Sequence, residues 1–242
     1  MAPEIAWTGN HSVVDRVKTP HPLEGTKLVI NKYLAELLGT FILVGLGSMG
    51  ILAVGGASGA AEIIAIGFAF GLALLAAIWV VGHVSGAHFN PAVTLGFLLN
   101  RDISLSDAIG YWIGQFAGAG VASLVVWAMA GSREAVGITA TTYDDLGTAI
   151  VVEILLTAVF VWTILAVVRR NMSQAPLAIS LVLVGVHLAG IPFSGASVNP
   201  ARSFGPAAVA GDFGPIWVYF YAPLIGAAVA WALYRLFPIE ES

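Results

Sequence analysis

Cysteine is absent from all 242 residues. That excludes a disulfide framework, a thiolate metal site and a cysteine nucleophile, and it leaves the redox compartment unreadable. Charge is nearly as scarce: Lys plus Arg number 10 and Asp plus Glu 14, a formal net charge of −4, and charged residues are 10% of the chain. No basic cluster interleaved with aromatics offers a nucleic-acid surface, so nucleic acid is not an expected partner. No Ser/His/Asp set, metal-spaced histidine cluster or phosphate-binding loop stands in a plausible context; neither an enzyme nor a bound cofactor or metal is expected. Residues 1–30 lack the apolar run of a secretory signal and read as a polar extension, with Pro20, His21 and Pro22 forming a tether or a plug.

What is abundant is apolar. Hydrophobic residues are 58% of the chain and the mean hydropathy is +0.90, far from the balance of a soluble domain. Six stretches satisfy the ~20-residue criterion for a membrane span, at about 33–53, 63–81, 108–130, 148–168, 177–189 and 215–237, the fifth being the shortest. The fold class expected is an all-α integral membrane protein surrounded by a lipid bilayer. Its single transmembrane domain would occupy 32–238, between a 1–31 N-terminal extension and a 239–242 tail.

Inside that framework one pattern occurs twice: Ser85-Gly86-Ala87-His88-Phe89-Asn90-Pro91-Ala92 and Ser194-Gly195-Ala196-Ser197-Val198-Asn199-Pro200-Ala201. The residue before proline avoids helical geometry, whereas proline at the first helical position is favoured, so each Asn-Pro-Ala reads as a loop ending in a helix start. The segments 84–100 and 191–211 are apolar and long enough for a helix of about ten residues each; met tip to tip, two such helices cover the ~30 Å hydrocarbon core. A helix that begins inside a bilayer leaves its first N–H groups unpartnered and its positive dipole end in low dielectric, which survives only beside a polar path. The first and fourth spans match as well, Glu36 corresponding to Glu153. Each half, about 32–131 and 147–238, thus holds three spans and a half-helix. Three is odd, so the second half inserts upside down and the half-helices enter from opposite faces. Lys and Arg concentrate on one side of this topology, leaving only Arg133 and Arg202 for the other, which places both termini in the cytoplasm. Gly67 with Gly71, and Gly110, Gly114 and Gly118, are small-residue spacings expected to serve helix packing.

With its paired boxes in His-Phe-Asn-Pro-Ala-Val-Thr and Asn-Pro-Ala-Arg-Ser contexts, and a Glu in the first span of each half, the chain resembles the aquaporin (major intrinsic protein) family over about 33–237, and most closely its water-selective branch. The resemblance implies a plasma-membrane homotetramer with a passive water pore in each protomer. It implies that Asn90 and Asn199 present free side-chain N–H donors, so that a passing water accepts from both and the proton wire is interrupted, while the positive helix ends repel cations. The alternative is that both Asn only cap helices. It places Phe70, His187, Ala196 and Arg202 in a narrow filter, Arg and His supplying donors; an arginine in a span costs about 2.5–3.5 kcal/mol, which itself suggests a water-lined position. The carbonyls of Gly86, Ala87, His88, Gly195, Ala196 and Ser197 would form an acceptor ladder. Ser203, Ala207, Tyr219 and Phe220 match water-type discriminating positions, and His187 stands where glycerol-conducting members carry a smaller residue. Glu36 and Glu153 are expected to anchor the two loops, a proton relay being the alternative. His83 is a polar lining residue or a pH sensor. Two further readings stay open: a facilitator of glycerol, ammonia or peroxide, and a proton-coupled inverted-repeat transporter.

Overall fold

The computed structural model describes residues 22–132, 137, 139, 146–170 and 172–238, with side chains described from Asn31 onward. Among them the chain forms eight helices: α1 Pro22–Val54, α2 Ala60–Ser85, α3 Pro91–Asn100, α4 Leu105–Ala130, α5 Leu146–Arg169, α6 Ala175–Ser194, α7 Pro200–Ala210 and α8 Ile216–Leu236. Six of these, all but α3 and α7, are long and apolar enough to cross a membrane. The helical form follows from the solvent: hydrocarbon offers no partner to a backbone N–H or C=O, so each apolar run must satisfy its own. Helix α1 reaches back to Pro22, so part of the segment read as an extension is helical. Residues 1–21, the tail 239–242 and Arg133 lie outside the described residues.

The halves are built alike. Helix α1 packs between α2 and α4, and α5 packs between α6 and α8. The central α2–α6 contact joins them, and the short helices are exchanged: α3, of the first half, lies against α8, while α7, of the second, lies against α4. Close approach is bought with small residues. A Cβ on Gly118 of α4 would stand 2.2 Å from the Leu37 carbonyl oxygen of α1, and one on Gly226 of α8 would stand 2.6 Å from the Ile154 carbonyl oxygen of α5. Gly110 and Gly114 meet Tyr33 of α1, and Gly67 and Gly71 meet α6, which gives these spacings the packing role read from sequence. Large apolar side chains such as Leu72, Trp79, Ile113 and Val151 face outward.

Two boundaries differ from the sequence reading. The fifth span is longer than expected, Ala175–Ser194, because Pro192 is tolerated inside its last turn. The reentrant segments are helical only from the prolines onward: α2 runs through Ser85 and α6 through Ser194, and residues 86–90 and 195–199 are non-helical connectors whose polar groups bond elsewhere. The two short helices have 10 and 11 residues, about 31 Å end to end at ~1.5 Å per residue, the thickness of the hydrocarbon layer. Together they make one discontinuous span.

Candidate functional site

Each connector leaves its long helix through a glycine in the left-handed region, Gly86 at φ 87° and Gly195 at φ 77°. Left-handed geometry then recurs at residues that carry a Cβ: Ala87 (60°) and Phe89 (48°) in the first loop, Ala196 (48°) and Val198 (45°) in the second. This conformation is uncommon for side-chain-bearing residues and most strained for a β-branched one such as Val198. Two buried carboxylates impose it. Glu36 Oε1 accepts from Ser85 Oγ at 2.6 Å and His88 N at 3.0 Å, while its Oε2 accepts from Phe89 N at 2.6 Å and Gln115 Nε2 at 2.7 Å. Glu153 Oε1 accepts from Ser194 Oγ and Ser197 N, and its Oε2 from Val198 N, each at 2.7 Å. Tyr111 and Tyr219 complete the fastening by donating to the carbonyls of Ser85 (2.6 Å) and Ser194 (2.8 Å).

Held this way, the two boxes close on one another. Asn90 Oδ1 accepts from Ala92 N (2.8 Å) and so caps α3; Asn199 Oδ1 accepts from Ala201 N (3.0 Å) and Arg202 N (3.2 Å) and caps α7. Each amide then reaches across the junction: Asn90 Nδ2 donates to the Val198 carbonyl at 2.8 Å, and Asn199 Nδ2 donates to the Phe89 carbonyl at 3.0 Å. The sequence reading left both N–H groups of each amide free. Here one is committed to the opposite loop, and the second is left to the cavity that both Asn side chains line. Pro91 with Ala92, and Pro200 with Ala201, are buried first-turn residues of α3 and α7.

The cavity leaves ≈ 20 Å³ for the centres of water-sized molecules, enough for about one or two waters. Phe70, His187, Arg202, His88 and Ser197 border it together with the apolar side chains of Leu43, Leu74, Phe160 and Leu183. At one end Phe70 and His187 stack with centroids 4.5 Å apart and planes 17° apart, and the Arg202 guanidinium carbon lies 4.8 Å from the Phe70 centroid. His187 Nδ1 is 2.9 Å from the Leu183 carbonyl, which can only accept, so Nδ1 carries the proton. In the neutral ring Nε2 is therefore an acceptor, where the sequence reading had counted His187 among the donors. Nε2 of His187 and Nε and Nη1 of Arg202 are buried without a partner among the described residues. Guanidinium donors and an imidazole acceptor thus stand without a protein partner in residues that border one small volume.

Not every residue singled out from sequence reaches this cavity. Of the expected carbonyl ladder, His88 and Ser197 border it; Gly86, Ala87, Gly195 and Ala196 do not. Ala196 is fully buried, and its Cβ sits 3.0 Å from where a Cβ on Gly190 would stand. Ser203 bonds Ser197 Oγ at 2.5 Å and Thr139 Oγ1 at 2.8 Å, Tyr219 fastens the second loop, Ala207 is buried in α7, and Phe220 stacks on Phe116 at 5.7 Å. None of the four borders the cavity; Ser203 reaches it through Ser197. His83 lies exposed on the last turn of α2, away from the cavity lining, and His88 is buried with Nδ1 3.1 Å from Thr94 Oγ1. Gln115, which bridges Glu36 and Thr94 Oγ1 (2.9 Å), was missed, although a lone amide inside an apolar span was the signal for it. The serines that open the duplicated pattern, Ser85 and Ser194, were missed as ligands of the carboxylates.

Comparison with known proteins agrees with this architecture. The chain is 40% identical over 224 residues to "Glycerol uptake facilitator protein-like 6" of Lactiplantibacillus plantarum, covering 88% of this chain and 100% of that one. It is 37% identical to "Aquaporin TIP2-1" of Zea mays, covering 85% and 86%. The structure of the aquaglyceroporin from Plasmodium falciparum superposes with a TM-score of 0.76 at 24% identity, covering 85% of this chain and 95% of that chain, and so shares the fold. Residues 25–234 match the family model described as Major intrinsic protein, so six apolar helices, two half-helices and this match together establish that the chain is a multi-pass membrane channel protein of the major intrinsic protein family.

Proposed function

We propose that the chain is a passive water channel that rejects polyols, ions and protons. The observation that supports this reading most is the constriction: Phe70, His187 and Arg202 crowd a volume suited to one or two waters, with donors from Arg202 and an acceptor at His187 Nε2. A water can accept from the first and donate to the second; a three-carbon polyol is larger than the one or two waters that this volume suits. At the junction, the remaining N–H of Asn90 and of Asn199 each points a donor at the passing molecule, whose oxygen turns to both and whose hydrogens turn outward. Successive waters then cannot pass a proton through that point, and the two helix N-termini oppose a cation there. The same reading makes the assembly a homotetramer in the plasma membrane, with the termini cytoplasmic. The positive-inside tendency supports that orientation, since Arg169 and Arg235 sit with Asn100 around one groove at a single end of the bundle.

A second reading, a facilitator of glycerol or another small neutral solute, is favoured by the name of the Lactiplantibacillus plantarum relative. A proton-coupled transporter fits less well, because both intramembrane carboxylates are occupied by loop donors. Stopped-flow light scattering on proteoliposomes separates the three. Rapid shrinkage in sucrose with no protein-dependent re-swelling in glycerol is the expected result, and His187→Gly with Arg202→Val should raise both glycerol and proton flux. Rapid glycerol re-swelling by the unaltered protein would overturn water selectivity, and flux that saturates and follows a pH gradient would favour transport.

A further inference from the structure

Behind Phe70, on the side away from the cavity lining, lies a residue that does not touch the cavity. Gly47 lies buried on α1, behind Phe70. A Cβ at position 47 would stand 2.2 Å from Phe70 Cε1, 2.3 Å from Cδ1 and 2.6 Å from Cζ, far inside carbon contact distance. One edge of the ring therefore occupies the space that a side chain at 47 would fill. The ring is also confined from other directions, by the stacked imidazole of His187 and by the Arg202 guanidinium. The open volume beside it is the cavity.

The repeat supplies an internal comparison. Gly47 follows Glu36 by the same 11 residues that separate Ile164 from Glu153, and Phe70 precedes Ser85 by the same 15 residues that separate Ile179 from Ser194. In the half without an aromatic ring, the position equivalent to the glycine carries a branched side chain, and Ile164 and Ile179 belong to the same core cluster. Helix formation does not ask for glycine at 47, since glycine inside a helix costs about 1 kcal/mol relative to alanine. The small residue goes with the ring.

We propose that Gly47 is a positioning residue for the constriction: it is a notch in α1 that recesses Phe70, so that the width available to a permeant is set partly by a helix backbone outside the pore. The proposal rests on the reading of Phe70 as a constriction residue. Filling the notch has one outlet, displacement of the ring toward the cavity, and narrows the path.

The experiment is a double-mutant cycle in proteoliposomes with Gly47→Ala, Phe70→Ala and the pair, reading water and glycerol permeability per reconstituted protein and the melting profile of each variant. Gly47→Ala alone should lower water permeability by about threefold or more, because a single-file path responds steeply to width. In the Phe70→Ala background the same substitution should change permeability by less than about 1.5-fold, the two sites being coupled through the ring. Equal losses in both backgrounds, or unchanged permeability in a well-folded Gly47→Ala protein, would overturn the proposal. Should Gly47→Ala fail to fold, folding restored in the double variant upholds the steric link, and a double variant that stays unfolded defeats it. Phe70→Ala alone judges the prior reading: if water and glycerol permeability do not move, Phe70 is not in the constriction, whatever the coupling to Gly47.

Discussion

Replacing Glu153 with glutamine keeps the volume of the side chain and changes one oxygen into a donor, which makes it a sharp probe of the second loop. The carboxylate receives three bonds at 2.7 Å, from Ser194 Oγ, Ser197 N and Val198 N, all donors. Ser194 Oγ in turn accepts from Ala196 N at 3.2 Å. In Glu153→Gln the least damaging rotamer keeps oxygen at the Oε1 position, so two of the bonds survive without their charge, while the NH₂ faces Val198 N–H. A buried N–H left unmatched, together with the lost charge assistance, amounts to about 3 kcal/mol. For a chain of this size that corresponds to a fall in melting temperature of about 6–12 °C. Val198 would no longer be held at φ 45°, and its carbonyl would leave Asn90 Nδ2. Water permeability should fall together with stability. Glu36→Gln should be the more damaging of the pair, because Glu36 also receives Gln115 Nε2. Differential scanning fluorimetry in detergent, with stopped-flow permeability on the same preparations, measures both quantities. A Glu153→Gln protein that melts and conducts like the parent would refute the anchoring argument, and one that melts normally but loses flux would point to the proton-relay alternative.

Asn199→Ala should destabilise more than Asn90→Ala, by about 1 kcal/mol, because Asn199 caps two backbone N–H groups and Asn90 one, while each makes a single bond across the junction; equal or reversed melting shifts would contradict this. Gly118→Leu should abolish a monodisperse folded peak in size-exclusion chromatography, since its Cβ alone would stand 2.2 Å from the Leu37 carbonyl oxygen, and a normal profile would show that α1 and α4 can separate at little cost. Mercuric chloride should leave permeability unchanged, there being no thiol in the chain to bind it, so inhibition by mercury would reveal a site of another kind.

The membrane class, the six spans and the inverted repeat were legible because they rest on long apolar runs and on a duplicated tripeptide, signals that local context does not blur. Asn-Pro reported its own geometry, and the helix starts at Pro91 and Pro200 follow from it. The loops before them were less legible. Whether 86–90 is helical depends on which acceptor wins its N–H groups, and Glu36 is about fifty residues away in sequence, so no periodicity could reveal the competition. The same holds for the committed half of each Asn amide, whose partner lies in the other repeat. His187 was placed near Arg202 by resemblance, yet its acceptor character depends on the Leu183 carbonyl one turn earlier, a detail of ring orientation. Ser203, Tyr219 and Phe220 belong to the same kind of case: their partners, Ser197 Oγ, the Ser194 carbonyl and the Phe116 ring, are set by tertiary packing that a motif match does not report.

The crossed amide bonds at the junction bear on biogenesis. A nascent chain halted after α4 holds Asn90 and the Phe89 carbonyl ready in the membrane, but the groups that answer them, the Val198 carbonyl and Asn199, have not yet left the ribosome. The first repeat can insert, yet its half of the crossed pair stays open until the second repeat supplies the keystone.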